Sequence, residues 1–312
     1  MFQGLLPIDK PLGLRSSYCV EQVKKILGKG TKVGHGGTLD SSASGVLVLL
    51  LGGATRLFSL VMNMPKTYSA VVRLGAETTT CDGTGEIISS GDSESVTEED
   101  LDAAAVSFLG WRMQTPPEVS AVHVKGRRAH EIFRAGGSPE MLPRQVFIES
   151  IRRIGAISNS EARFQIKCGK GTYVRAIARD IGRSLGCRAH IVSLRREAVG
   201  FFSLSQALCP GENFSVPKDD LVSAVRPVSE MERFLPCYRV GEGDSSRMAD
   251  GVRVDISGAA RLTFGDRCPD NGAMAVSEKW MSVGRLEPAE RGMTMTPEIN
   301  LSLAGPQAEA AR

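Results

Sequence analysis

Apolar and polar positions follow two different periods along this chain, and the places where the period changes mark out its elements. Residues 17–27 set Val20, Val23, Ile26 and Leu27 on one side and Glu21, Lys24 and Lys25 on the other, the spacing of an amphipathic helix. Residues 67–74 alternate as a half-buried strand does. Residues 46–51 are apolar without interruption, the pattern of a strand covered on both faces. Further strands are predicted at 5–8, 145–154, 162–168, 188–194 and 198–203, and helices at 54–62, 97–109 and 172–185. Thr97 followed by Glu98, Glu99 and Asp100 supplies a capped, acidic first turn for the second of these helices. Helices and strands interleave irregularly, which favours an α+β fold, with a mixed, mainly antiparallel sheet and flanking helices, over a doubly wound parallel one.

The pattern shifts again after about residue 209. A connection over 210–235 opens with Pro210-Gly211 and holds a helix near 219–225. Short strands then come in close succession at 238–240, 252–256, 261–264, 273–276 and 281–286, the spacing of a small β-barrel over 236–303. Residues 304–312 are expected to form a disordered tail. The first 209 residues would make one domain, with loops at 89–95 and 136–139.

Composition sharpens this only through the placement of charge. With 42% hydrophobic and 23% charged residues the chain is an ordinary globular one. The net charge of +3 conceals a strong segregation: residues 1–80 carry +5, 81–120 carry −8, 121–200 carry +10 and 201–312 carry −4. A basic block of this kind is the footprint of a polyanion partner, and equally of a solvated basic face. The seven cysteines are scattered without a CxxC pair and the four histidines lack HxxxH or HExxH spacing, so neither a disulfide framework nor a metal site is expected. The N-terminus lacks the basic start of a signal peptide, and no apolar run approaches the roughly 20 residues that span a bilayer. A cytoplasmic protein without membrane contact is therefore expected.

Two glycine-rich stretches invite a nucleotide-binding reading, and both fail it. The first, over 28–37, follows a helix and has the wrong spacing for GxGxxG. The second has Phe164 where the first P-loop glycine belongs and Gly171 where Ser or Thr belongs. What remains is a loop in which Gly34, Gly36 and Gly37 surround His35 and lead to Asp40. By itself an aspartate before Ser41-Ser42 is commonly a helix or turn cap.

The loop Gly34-His35-Gly36-Gly37-Thr38-Leu39-Asp40 resembles the GHxGxLD signature of the TruB family of tRNA pseudouridine synthases. Five other stretches agree in order: Asp9-Lys10-Pro11 with Gly13; Lys66-Thr67-Tyr68; Pro116-Pro117 with Ser120-Ala121; Gly171-Thr172-Tyr173-Val174-Arg175; and Leu194-Arg195-Arg196. Together they span about residues 1–205. Two departures stand out, Ser41-Ser42 where the family commonly has proline and an apolar residue, and Gly36 where it commonly has threonine.

The resemblance implies the pseudouridine synthase fold with a PUA-like C-terminal barrel, and an isomerase acting on uridine 55 of the tRNA T-loop. It implies Asp40 as the catalytic carboxylate and Arg175 as its ion-pair partner. Tyr173 would lie against the uracil as a proposed base for the C5 proton, although a phenol with an ordinary pKa near 10 is a poor base. Tyr68 would stack on the flipped uridine, with Lys66 before it in the motif; His35 would fill the gap left in the RNA, and Leu194 would line the pocket. Without the resemblance, Tyr68 and Leu194 read as core residues and His35 as a turn residue. Lys125, Arg127, Arg128 and Arg134, with Arg144, Arg152 and Arg153, would follow the phosphate backbone, and residues 125–146 would form a thumb-like loop. The isomerisation conserves atoms, so no cofactor is expected, and a monomer working on the tRNA T stem-loop without a protein partner is the expected form. Two alternatives are a guide-RNA-dependent, dyskerin-type synthase and a tRNA chaperone without chemistry.

Overall fold

The computed structural model describes residues 2–263, 272–290 and 292–303. The chain begins with β1 (Gly4–Lys10), α1 (Ser16–Leu27), β2 (Val33–His35) and β3 (Ala43–Leu51). A 3-10 segment, Gly52–Leu57, runs into α2 (Phe58–Asn63), followed by β4 (Lys66–Leu74), β5 (Ala76–Thr78), β6 (Ile87–Ser90), α3 (Glu98–Val106) and β7 (Gly110–Gln114). Next come the short hairpin β8 (His123–Val124) and β9 (Arg127–Arg128), α4 (Ala129–Arg134), β10 (Arg144–Ser158), β11 (Glu161–Cys168), α5 (Val174–Ser184), β12 (Ala189–Val199) and β13 (Phe202–Ser203). After α6 (Lys218–Ser223) the chain forms β14 (Cys237–Arg239), α7 (Glu242–Ala249), β15 (Val254–Asp255), β16 (Ala260–Thr263), β17 (Gly272–Val276), β18 (Trp280–Ala289) and β19 (Gly292–Ser302).

Nine of these strands form the large sheet, with a spine in the order β1-β3-β12-β4-β11-β10-β7. Its pairings are antiparallel except for β12 against β3, as the mixed pattern of elements led one to expect. The continuous apolar run of β3 has a direct explanation. Val46, Val48 and Leu50 enter one hydrophobic cluster while Leu47, Leu49 and Leu51 enter another on the opposite face. Each fully buried side chain of this size contributes on the order of 2 kcal/mol. On β4 the alternation sends Tyr68, Ala70, Val72 and Leu74 into a third cluster, beneath α3 and α5.

The parallel pairing places Leu194 opposite Ala43 and Arg196 opposite Gly45. Gly45 has φ +112°, and a Cβ there would stand 2.2 Å from the Arg196 carbonyl oxygen, so the close approach of the two strands depends on glycine. The strand expected at 188–194 runs on as β12 to Val199 with Arg196 turned inward and 2% exposed, and the strand expected at 198–203 is a hairpin instead, its last residues returning antiparallel as β13. Helix α5 starts two residues later than expected, and β10 extends to Ser158. The sequence pattern did not reveal β6, β7, α7 and β19.

The second sheet runs β15-β19-β18-β17-β14-β16 and curls into a half-barrel, where the strand spacing predicted a small β-barrel and the resemblance implied a PUA-like element. It does not stand apart. Met274, Met281, Val283 and Leu301 share a cluster with Leu5, Val46, Leu57 and Phe234. Gln3 Nε2 donates to the Ser302 carbonyl at 2.7 Å and Arg56 Nη1 to the Asn300 carbonyl at 2.8 Å. Phe264 and the expected tail at 304–312 lie outside the described residues.

Candidate active site

The loop from β2 to β3 carries Asp40, and it is fixed on every side by bonds to other elements. Ser16, at the start of α1, donates through Oγ to the Leu39 carbonyl and accepts from the Leu39 amide, both at 2.9 Å. Gly13 N–H donates to the Ser41 carbonyl at 2.8 Å. From below, Arg196 donates to the carbonyls of Val46 at 2.7 Å and of Thr38 and Gly37 at 3.2 Å. An irregular loop has no ladder of its own, so these bonds satisfy backbone groups that would otherwise be buried unpaired. The departure at Gly36 also has a steric reason: a Cβ there would stand 2.2 Å from Val61 Cγ1.

Arg175 sits in the first turn of α5 and is 4% exposed. Gln114 of β7 holds the start of that helix, accepting from the Tyr173 amide at 2.9 Å and donating to the Tyr173 carbonyl at 3.2 Å. The Arg175 guanidinium reaches Asp40 Oδ2 at 2.7 Å and Asp82 Oδ2 at 3.7 Å, and donates to the carbonyls of Thr80 at 2.7 Å and Val119 at 3.0 Å. Two carboxylates thus share one buried cation. Their settings differ, since the Asp40 side chain is 38% exposed and that of Asp82 7%. Burial pushes the Asp82 carboxyl up, but hydrogen bonds from Thr84 and Thr80, with the Arg175 charge, outweigh it and hold Asp82 below the usual carboxylate range. Ser42 donates to Asp82 Oδ2 at 2.9 Å, so the second departure from the family loop finds a partner at this cluster.

Asp40 stands at the junction of two cavities. One, about 520 Å³, is also lined by His35, Asp82, Arg128, His130 and Arg134. The other, about 290 Å³, is lined by Tyr68, Tyr173, Leu194, Arg144 and Lys170. Thr38, Leu39, Asp40, Ala121 and Arg175 border both.

The sequence-predicted residues divide accordingly. Asp40, Arg175, Tyr68, Tyr173 and Leu194 converge on the smaller cavity. Leu194 and Tyr68 also belong to the core cluster beneath it, so the core reading and the pocket reading hold together. Burial raises both tyrosines above the ordinary phenol value, leaving each a neutral phenol near pH 7. His35 lies in the larger cavity, accepts from the Gly37 amide at 3.3 Å through Nδ1, and is lowered by burial and then by the Arg196 charge.

Lys66 borders the smaller cavity, but its ammonium is turned inward to the carbonyls of Val61, Met62 and Met64 at 2.6–3.2 Å, where it closes the end of α2. Burial pushes it down to about 7. Arg128 and Arg134 face the larger cavity, while Lys125 and Arg127 stand exposed on the β8–β9 hairpin beyond it. Arg152 and Arg153 do not join them. Arg153 pairs at 2.9 Å with both Glu98 and Asp102 of the acidic helix α3, and Arg152 donates to Gln165 at 2.7 Å. Asp82, Gln114 and Arg196 carried no role in the sequence; only Arg196, inside the Leu194-Arg195-Arg196 motif, had a signal that pointed to it.

Residues 24–174 match the TruB family pseudouridylate synthase N-terminal domain, and residues 175–215 match the tRNA pseudouridylate synthase B C-terminal domain. The tRNA pseudouridine synthase B of Thermobifida fusca is 36% identical over 290 residues, covering 89% of this chain and 95% of that protein. That of a Chelativorans species is 39% identical over 293 residues, covering 91% and 90%. That of Bartonella henselae is 45% identical over 199 residues, covering 64% and 62%. Among solved structures, a chain of a Cbf5-Nop10-Gar1 complex superposes with a TM-score of 0.71 at 23% identity, covering 97% of this chain and 86% of that one, which establishes a shared fold. Similarity sustained at this level from end to end of a relative is more than a common architecture, and the chain belongs to the TruB family of pseudouridylate synthases, which are isomerases.

Proposed function

We propose that this chain isomerises uridine 55 in the T-loop of tRNA to pseudouridine. The observation that carries the proposal is the Asp40–Arg175 pair at 2.7 Å, set where the two cavities meet and with the carboxylate open to both. The names of the relatives, tRNA pseudouridine synthase B, support tRNA as the substrate.

A uridine flipped out of its stack into the smaller cavity meets two aromatic rings, Tyr68 and Tyr173, and the Leu194 side chain. Stacking on such rings offsets the loss of neighbouring bases by about 1–3 kcal/mol. Asp40 then assists cleavage of the N1–C1′ bond, as nucleophile or as base; the ring turns, C5 bonds to C1′, and C5 gives up its proton while N1 takes one up. The enclosed base strips water from the carboxylate, and Arg175 supplies the counter-charge that this requires. Tyr173, a neutral phenol, touches the base; to accept the C5 proton it would first have to lose its own. Reactant and product have the same atoms, so no cofactor enters.

Arg128 and Arg134 on the wall of the larger cavity, His35 within it, and Lys125 and Arg127 on the hairpin receive the RNA strand and its phosphates. This assigns the chemistry to residues 1–209, with 125–146 as a thumb-like loop, and a PUA-like RNA-binding domain to 236–303, joined by 210–235. The protein works as a cytoplasmic monomer without a protein partner.

The test is to incubate purified protein with an unmodified tRNA transcript and map pseudouridine. Product at position 55 is expected. Product only with a guide RNA and accessory proteins would replace the proposal with the guide-dependent alternative, and binding without product would replace it with the chaperone. Asp40→Asn is expected to form no product while still binding tRNA, and detectable turnover by that variant would remove Asp40 from its role.

A further inference from the structure

The face of the large sheet turned away from α3 and α5 is apolar at β1 and β3, where the second sheet covers it, and polar across its middle strands, with Thr67 and Ser69 on β4 and Gln165 and Lys167 on β11. At the β7–β10 edge it changes character. Trp111 and Met113 are 68% and 63% exposed there, and the half-buried Phe147 pairs with Trp111 directly across the strands. The two rings are 5.1 Å apart and tilted by 51°, so Phe147 supports the indole from one side.

The patch and the smaller cavity lie on opposite faces of the sheet and meet only around its strand ends. Gly169 N–H donates to the Phe147 carbonyl at 2.8 Å, and the next residue, Lys170, lines the cavity. Arg144, paired with Gln114 at the far end of the same two strands, lines it too. Trp111 lies three residues from Gln114, about 10 Å along β7. Among the described residues no carboxylate is ion-paired with Arg144 or Lys170, and Glu149, which is on this face, is bridged by Lys167 at 3.0 Å. An exposed indole on an aromatic support, one strand end away from two cations at the mouth of a cavity, combines base stacking with phosphate neutralisation.

We propose that Trp111 and Phe147 form a stacking shelf for an unpaired nucleobase of the RNA whose uridine occupies the cavity, with Arg144 and Lys170 holding the intervening phosphates. The shelf rests on the function proposed above for the identity of that RNA. It extends the recognition surface over the edge of the sheet.

In a Trp280→Phe background Trp111 is the sole tryptophan of the chain. Its fluorescence is expected to be quenched as tRNA transcript is added, and an unchanged signal under saturating tRNA would overturn the shelf. Trp111→Ala is expected to raise the Kd for tRNA and the KM for pseudouridine formation about tenfold. Trp111→Phe should recover most of that loss, and Trp111→Leu, apolar but without an aromatic face, should not. Full recovery by leucine, or an unchanged Kd in Trp111→Ala, would overturn the shelf while wild-type product formation left the catalytic proposal standing. Loss of product in the wild type would overturn the catalytic proposal instead. A wild-type dimer in the absence of RNA that Trp111→Ala converts to monomer would assign the patch to a second copy of the chain, and would overturn the shelf as well.

Discussion

Basic side chains end up in opposite situations in two regions of this molecule. Around the floor of the site, Arg175, Arg179, Arg196 and Lys66 are each 6% exposed or less. Many of their donors go to carbonyl oxygens: Arg196 to Gly37, Thr38 and Val46, Arg179 to Thr115, Arg175 to Thr80 and Val119, while Arg175 also reaches Asp40 and Asp82 and Arg179 reaches Asp180. On the hairpin and α4, Lys125, Arg127, Arg128 and Arg134 are exposed. The inner set has given up its hydration and is compensated by carbonyls, joined at Arg175 and Arg179 by carboxylates, so it fixes loops that have no ladder of their own. The outer set keeps its water and its counterions, and can exchange both for phosphates. A local charge of one sign therefore serves shape in one place and stays hydrated and exchangeable in the other.

The contrast can be broken most sharply at Arg196. Arg196→Met removes the donor from the buried carbonyls of Val46 and Gly37 and from the Thr38 carbonyl, and is expected to cost about 3 kcal/mol, read as a fall in the denaturation midpoint. A midpoint equal to the wild type would mean that the inner set does not hold the loop. The opposite outcome is expected for a combined Arg127→Ala, Arg128→Ala, Arg134→Ala protein. Stability should stay within about 0.5 kcal/mol per site. The salt dependence of tRNA binding should become shallower, by about one unit of slope for each phosphate left without its arginine. An unaltered slope would remove these three residues from the RNA surface.

The smallest effect concerns Lys66. Its folded value of about 7 lies below the ordinary 10.5, so between these values the unfolded chain binds the extra proton. Stability contributed by this group therefore rises as the pH is raised from 7 toward 10. Lys66→Met lacks this rise, and chemical denaturation at pH 7 and at pH 9 should show the wild type gaining on the variant. A difference that does not move with pH would place Lys66 among the hydrated set.

Much of the fold was legible where one local pattern decides the outcome. β3 is apolar throughout because two clusters claim alternate residues, and β4 alternates because one face is buried. β19 escaped because Pro297 interrupts its pattern; it is tolerated opposite Gly284, where the register shifts. α7 escaped because Met248 is the one large apolar residue among its eight. β7 is five residues long and shows apolar residues, Trp111 and Met113, to solvent.

The candidate site was legible where residues fall within one contiguous motif, as His35 and Asp40 do. Asp82 was invisible because its surroundings read only as an acidic segment. The structure ties that acidity to distant cations, Asp82 to Arg175 and both Glu98 and Asp102 to Arg153, all pairings across long stretches of chain. Lys66 and Arg153 misled for the matching reason: a sequence gives the sign of a charge but not whether a carbonyl or a carboxylate already holds it.

The cluster that joins the second sheet to the back of β3 has a mechanical consequence. Val46, Val48 and Leu50, in the strand leading away from Asp40, are packed in common with Met274, Met281, Val283 and Leu301. Separating the sheets would open a hydrophobic core, at about 25 cal/mol for each Å² of apolar surface exposed. The protein therefore has an anvil and no hinge on that side: the Asp40 loop is backed by a shared core, whereas the hairpin and α4, on the wall of the larger cavity, enter none of the hydrophobic clusters.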